Sequence, residues 1–140
     1  MNDNLERFKS AQASSYDGAL REVRRGRKTS HWMWYIFPQI QGLGFSSTAQ
    51  FYAIRDLDEA KAYLEHPVLG ARLREISSAL LELDGLSASE IFGYPDDLKL
   101  RSSMTLFRLA DLDCDIFEKV LEKYYDGIPD NRTVSILKSL

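Results

Sequence analysis

Apolar residues recur at every third or fourth position along most of this 140-residue chain, and no two neighbouring segments show the apolar–polar alternation of paired strands. The clearest apolar stripe follows Pro67 and consists of Leu69, Leu73, Ile76, Leu80 and Leu83. Amphipathic helices without strand partners bury their stripes by packing against one another. The pattern predicts an all-α fold, a compact array of about seven to nine helices.

The N-terminal part of the chain predicts one long helix, running from Asp3 to Lys28. Asn2 or Asp3 can serve as its N-cap, because both side chains offer an oxygen to the first free N–H groups. A break is expected near Ser14 and Ser15. Gly26 stands near the predicted end, where glycine readily adopts a left-handed cap.

Further helices are expected where prolines, glycines and capping residues bound a helical pattern. They lie within residues 31–37, 47–54, 59–66, 68–83, 88–92, 95–110, 114–125 and 131–140. Their expected caps include Thr29 or Ser30, Ser46 or Ser47, and Asp56 or Asp58. Acidic residues after Pro95 also mark a helix start, since they favour the positive end of the helix dipole.

The segment RKTSHWMWYIFPQIQGLG, residues 27–44, is the first candidate for a functional site. Its rings, Trp32, Trp34, Tyr35 and Phe37, are too close together in sequence to share one face of a helix or strand. A helix ended by Pro38 is favoured for residues 31–37, with a buried strand as the alternative. Such a mixture of rings and polar groups is typical of a pocket wall.

Six residues of this segment are candidate site residues: Lys28, Ser30, His31, Trp32, Trp34 and Gln39. His31 could transfer a proton as a catalytic residue, or it could be a core or capping residue. On a helix the two tryptophans point about 200° apart, so at most one can line a given pocket while the other belongs to the core. Gln39 could contact a ligand or support the aromatic segment.

The second candidate is KLRSSMT, residues 99–105. Lys99, Arg101, Ser102 and Ser103 place cations and hydroxyls within two turns of one helix. Guanidinium and hydroxyl donors suit the recognition of phosphate or carboxylate groups. The alternative is a solvated helix face whose hydroxyls bond back to helix carbonyls.

Composition limits the classes of protein to which the chain can belong. Its length fits one domain, residues 1–140, and 44% hydrophobic with 28% charged residues is typical of a globular protein. The net charge of −3 disfavours binding to nucleic acid or to anionic membranes. Cys114 is the only cysteine, so no internal disulfide can form. Without an apolar leader or spanning run, the protein is expected to be cytoplasmic.

Several common functional motifs are missing from the sequence. It contains no zinc-ligand spacing, no glycine loop that cradles phosphate and no serine-nucleophile elbow. We therefore expect no metal site and no cofactor. The oligomeric state is left open by the sequence, and a monomer is compatible with it.

Three motifs carry a family resemblance: GRKTSHWMWYIFPQIQGLG, YLEHPVLGARL and IFGYPDDLKLRSSMTLF, in this order. With them, nearly the whole chain resembles the bacterial family known as domain of unknown function 1810. The resemblance implies a small, mainly helical cytoplasmic domain, and it brings no established activity. It also implies that the candidate residues of both segments occupy motif positions of the family: His31, Trp32, Trp34, Pro38, Gln39, Lys99, Ser102 and Ser103.

These observations lead to one main hypothesis and two alternatives. In the main hypothesis, the two segments form one pocket that binds, and could process, a small anionic metabolite with a phosphate-bearing or nucleotide-like structure. The first alternative is a non-enzymatic protein–protein interaction module anchored by exposed rings and Met33. The second is a scaffold in which both segments are core and capping elements. The residues do not decide whether the protein is an enzyme.

Overall fold

The computed structural model describes residues 5–140, and over this range it confirms the all-α class. Its ten helices are α1 (Glu6–Gln12), α2 (Tyr16–Arg24), α3 (Met33–Ile36), α4 (Ser47–Phe51), α5 (Leu57–Glu65), α6 (Leu69–Leu81), α7 (Ala88–Phe92), α8 (Asp96–Ala110), α9 (Ile116–Tyr125) and α10 (Asn131–Ser139). The predicted break near Ser14 and Ser15 is confirmed, since the first predicted helix is interrupted between Gln12 and Tyr16. With this interruption the number of helices is one more than the predicted seven to nine. Its predicted caps, Asn2 and Asp3, lie outside the described residues. None of the helices within residues 5–140 combines the length and apolar character needed to cross a membrane.

Short-range capping contacts define several helix ends. The predicted caps Ser46 and Asp56 are confirmed, since their side chains accept hydrogen bonds from the N–H groups of Ala49 and Glu59 at 3.1 and 2.8 Å. The C-terminal end of α6 differs from the prediction, because the helix ends at Leu81 rather than at residue 83. The early stop leaves the last apolar residue of the predicted stripe only partly buried.

The caps predicted for the aromatic helix are wrong. That helix, α3, covers four residues instead of 31–37, and Trp32 occupies its N-cap position without a capping side chain. The N–H groups of Thr29 and Ser30 and the hydroxyl of Ser30 are bonded to the carboxylate of Glu22. The predicted capping residues are therefore bonded to Glu22, which lies outside the aromatic segment, and they do not cap α3.

Helix α8 lies at the centre of the packing and contacts α5, α7, α9 and α10. Its inward face is apolar and fully buried at Leu100, Met104 and Phe107. A row of aromatic rings with centroids 5.2–6.0 Å apart joins it to α1, α5 and α9 through Phe8, Tyr63, Phe107 and Phe117. Because this core fixes α8, the polar residues on its other faces have a defined position.

A single backbone bridge closes the loop that contains α4. The N–H of Ile54 donates to the carbonyl of Gln39, and the N–H of Gln41 donates to the carbonyl of Ile54, both at 2.8 Å. This isolated parallel bridge is the β-type pairing found among residues 5–140. It fixes the chain directly after the aromatic segment and so positions Gln39.

Candidate functional site

A cavity of about 540 Å³ opens between the loop that follows α3 and helices α8 and α10. The aromatic segment contributes Trp34 and Gln39 to its lining, and α8 contributes Lys99, Arg101 and Ser102. The lining also includes Asp130 just before α10, Arg132 of α10, Phe45 of the loop and Leu98 of α8. Its volume falls within the range of small-molecule sites, which is roughly 300–1,000 Å³. The structure thus brings together half of the ten predicted site residues.

The other five predicted site residues do not line this cavity, which corrects the expectation that the two segments contribute all of them to one pocket. They are Lys28, Ser30, His31, Trp32 and Ser103. Trp32 and Ser103 lie in the core, Lys28 and Ser30 are engaged by carboxylates, and His31 is exposed. A proton-transfer role for His31 therefore stays a prediction made from the sequence alone.

The carboxylate of Glu22 holds the start of the aromatic segment. It accepts bonds from the N–H groups of Thr29 and Ser30 at 2.7 and 2.9 Å. It also accepts from the Ser30 hydroxyl at 2.6 Å and from the indole Nε1 of Trp32 at 3.0 Å. Burial acts to raise the pKa of Glu22, but these hydrogen bonds outweigh it and lower the pKa to about 2. Glu22 is therefore ionised at neutral pH and anchors residues 29–32.

Asp96, the first residue of α8, joins the two candidate segments through two lysines. Its Oδ2 lies 2.8 Å from Nζ of Lys28 and its Oδ1 lies 3.3 Å from Nζ of Lys99. Each ammonium also lies 5.2 Å from the centroid of a tryptophan ring, Lys28 over Trp32 and Lys99 over Trp34. These contacts combine ion pairing with cation–π attraction, so they fix the position of the Lys99 side chain in the cavity wall.

The two tryptophans take the different roles that the sequence predicted. Trp32 is 2% exposed and packs against Phe37 and Phe92. Trp34 is partly exposed and lines the cavity. The prediction that at most one of them can face a given pocket is confirmed, and the structure identifies that residue as Trp34.

Two arginines of the cavity lack a carboxylate partner within the described part of the chain. Nε of Arg101 donates to the carbonyl of Ile128 at 2.9 Å, and its guanidinium lies 5.8 Å from the ring centroid of Tyr125. These contacts position Arg101 but leave its charge unpaired. Arg132 forms neither a hydrogen bond nor an ion pair with any of residues 5–140. Both guanidinium groups line the cavity, and neither is neutralised by an acidic group among residues 5–140.

Gln12 and Gln39 play different structural roles. Gln12 is 1% exposed, and its amide donates to the carbonyl of Tyr35 at 2.8 Å and to the hydroxyl of Tyr63 at 3.0 Å. It is a support for the aromatic segment. The side chain of Gln39 lines the cavity and has no hydrogen-bond partner among residues 5–140. An amide with a free donor and a free acceptor is available for a polar ligand.

Adjacent serines of α8 differ in their surroundings, and this leads to a stability prediction. Ser102 Oγ donates to the carbonyl of Leu98 at 3.2 Å, whereas Ser103 Oγ is buried without a partner in the described structure. Since an unsatisfied buried hydroxyl destabilises the fold by about 1 kcal/mol or more, Ser103→Ala should raise the free energy of unfolding by about 1 kcal/mol more than Ser102→Ala. Urea denaturation of both variants measures the difference. Equal effects of the two would contradict the assignment.

Asp130, Arg132 and Glu22 were not predicted as site or anchoring residues. Glu22 could have been noticed because it lies three residues after Ala19, at the edge of the apolar stripe of α2, where an acid needs partners. No local signal marks Arg132, because its place in the cavity depends on how α10 packs against α8.

The fold and the cavity define a helical protein with one aromatic wall and one cationic wall. The chain belongs to the family described as protein of unknown function (DUF1810), whose model matches residues 2–137. This confirms the resemblance found in the three motifs. Among solved structures, the chain is similar to the conserved hypothetical protein Rv1873 from Mycobacterium tuberculosis, with 50% identity, 96% of each chain covered and a TM-score of 0.95. No curated protein matches the chain.

Proposed function

We propose that the cavity binds a small anionic metabolite with a phosphate-bearing or nucleotide-like structure. The observation that carries this proposal is the charge of the lining, in which Lys99, Arg101 and Arg132 stand beside one carboxylate, that of Asp130. Arg101 and Arg132 have no acidic partner among residues 5–140. Cations that are left unpaired at a concave surface are available to a ligand anion.

The remaining lining residues suit the organic part of such a ligand. Trp34 offers an aromatic surface for a planar group, and Phe45 adds apolar area nearby. The free amide of Gln39 can both donate to and accept from the edge of a heterocycle. The proposal concerns binding, because the predicted proton carrier His31 does not line the cavity.

The first test is the affinity of the purified chain for adenosine 5′-monophosphate (AMP), measured by isothermal titration calorimetry. Arg132→Gln should weaken binding about tenfold or more, since it removes a charge-assisted hydrogen bond, which is worth roughly 1.5–3 kcal/mol. Arg132 is exposed and has no intramolecular partner in the described structure, so the fold should be unchanged. Adenosine, which lacks the phosphate, should bind weakly to both proteins.

The control for Arg132→Gln is Arg25→Gln. Arg25 is also exposed, and it follows α2 outside the cavity. Its replacement changes the net charge equally, so a loss caused by net charge alone would appear in both variants. The proposal would be refuted if Arg132→Gln bound AMP as tightly as the wild type does. It would also be refuted if neither AMP nor inorganic phosphate bound to the protein.

A protein–protein interaction module is the second candidate function. It is favoured by exposed apolar side chains at the cavity rim, where Phe45 is 79% and Leu98 is 46% exposed. In that case Phe45→Ser would weaken attachment to a protein partner. Neither phosphate nor AMP would then raise the melting temperature of the chain.

A further inference from the structure

The cavity holds an acid and three cations that do not pair with one another. Asp130 forms no ion pair with Lys99, Arg101 or Arg132, although all four line the same hollow. Lys99 pairs instead with Asp96, which is not part of the lining. The two guanidinium groups and the acid are therefore separately available to a ligand that fills the space between them.

Only one oxygen of the Asp130 carboxylate is engaged within residues 5–140. Its Oδ2 accepts from the N–H of Thr133 at 3.0 Å and from the hydroxyl of Thr133 at 2.6 Å, which caps α10. The N–H of Asp130 donates to Oγ1 of Thr105 at 2.9 Å and so ties this cap to α8. Oδ1 has no protein donor in the described structure. An ionised carboxylate can only accept hydrogen bonds, so Oδ1 suits a donor group on the ligand.

The charge of the lining indicates which kind of donor this is. A ligand ammonium group would face repulsion from the two unpaired guanidinium groups, Arg101 and Arg132, and the single carboxylate of Asp130 could not offset both. An ionised phosphate oxygen has no hydrogen to donate, and it would be repelled by Asp130 if it lay against Oδ1. Neutral hydroxyl groups avoid both penalties, because they donate to the carboxylate while a phosphate elsewhere on the same molecule meets the arginines.

We infer that the ligand is a ribonucleoside monophosphate or a molecule of that class, and that Asp130 determines specificity by accepting from the ribose hydroxyls. The inference rests on the proposed function, in which the arginines hold the phosphate and Trp34 contacts the base. It adds the third contact, which distinguishes a ribonucleotide from a nucleotide without sugar hydroxyls.

The test compares AMP with 2′,3′-dideoxy-AMP by calorimetry on the full chain. The wild-type protein should bind AMP at least about tenfold more tightly, because the dideoxy compound leaves the carboxylate without its donor. Asp130→Ser should remove this difference. Serine is also a favoured N-cap, so α10 keeps its first turn. The affinity for the dideoxy compound should stay equal or increase, since the variant lacks the negative charge near the phosphate.

The control variant is Asp56→Ser, which makes the same replacement at the N-cap of α5, outside the cavity. It should keep the full preference for AMP. Far-ultraviolet circular dichroism verifies the fold of each variant, and Asp130→Asn, which also retains a good N-cap, serves if the serine variant does not fold.

Two outcomes would overturn the inference, and a third would overturn the proposed function as well. Equal affinity of the wild-type protein for AMP and the dideoxy compound would show that Asp130 does not recognise the ribose hydroxyls, even if both compounds bind through Arg132. Full discrimination by a folded Asp130 variant would do the same. If AMP and inorganic phosphate both fail to bind, the proposed anion site itself is refuted.

Discussion

Replacing Glu22 by glutamine is expected to lower the free energy of unfolding by about 3 kcal/mol at pH 7. The carboxylate accepts four hydrogen bonds from residues 29–32, two from backbone N–H groups, one from a hydroxyl and one from an indole. Glutamine has the same shape but only one accepting oxygen. If that oxygen takes the place of Oε1, the bonds from the two N–H groups and from the Trp32 indole remain but lose the charge, and the amide nitrogen meets the Ser30 hydroxyl in place of Oε2. The loss of stability then comes mainly from the charge, because hydrogen bonds to an ionised acceptor are roughly twice as strong as neutral ones.

The effect of this substitution should depend on pH in a defined direction. Hydrogen bonding holds the pKa of Glu22 at about 2 against an ordinary value of 4.5, although burial opposes the shift. A lowered pKa means that the ionised carboxylate stabilises the fold at pH values above about 4.5 and that this stabilisation is lost as the pH falls toward 2. The loss caused by Glu22→Gln should therefore be roughly half as large at pH 3 as at pH 7.

Urea denaturation followed by circular dichroism at pH 7 and pH 3 measures both expectations. The control is Glu65→Gln, because Glu65 is exposed at the end of α5 and has no side-chain partner among residues 5–140. It should change the free energy of unfolding by no more than about 0.5 kcal/mol at either pH. An equal loss for Glu22→Gln at both pH values would show that the charge of Glu22 is not what anchors the segment.

This prediction bears on the cavity as well as on stability. Glu22 fixes Ser30 and Trp32, and α3 begins at the next residue. Trp34 is therefore placed by a carboxylate twelve residues earlier in the chain, together with Lys99 on its ring. A variant that loosens this anchor should weaken ligand binding through Trp34 without touching the ligand.

Helices were predictable from the sequence wherever their signals are local. Ser46 and Asp56 act as caps because the N–H groups that they bind lie three residues away, and α7 covers residues 88–92, as the sequence predicted. The caps of α3 were not predictable in this way. Ser30 has the right side chain in the right place, but a carboxylate on another helix binds it.

The candidate site was predictable in its two segments but not in its details. Ser102 and Ser103 are adjacent in sequence, and a rotation of about 100° separates a residue at the cavity from one in the core. Only the packing of α8 determines that Ser102 lies at the cavity and Ser103 in the core. Asp130 and Arg132 enter the cavity through the position of α10, a long-range feature that residue spacing does not encode.

The second large effect is expected for Gly70→Ala, which should lower the free energy of unfolding by about 3 kcal/mol. Gly70 is buried in the first turn of α6, where α6 approaches the end of α5. A Cβ atom on Gly70 would lie 2.0 Å from the carbonyl oxygen of Leu64 and 2.7 Å from its carbonyl carbon. Because both atoms belong to the backbone, the two helices would have to separate. The same oxygen accepts a hydrogen bond from Arg74 at 3.0 Å, which the movement would also strain.

Gly18→Ala is the matched control, and it should have the opposite sign. Gly18 is also helical, but the nearest atom to its added Cβ, outside its sequence neighbours and the backbone of its own helix, would be Nη2 of Arg21 at 3.7 Å, at the end of a flexible side chain. Alanine is favoured over glycine in a helix by roughly 0.5–1 kcal/mol, so this variant should be more stable than the wild type. Urea denaturation of both variants separates helix propensity, which favours alanine at both positions, from the backbone contact at Gly70. If Gly70→Ala were as stable as the wild type, α5 and α6 would not pack as closely as their backbone atoms indicate.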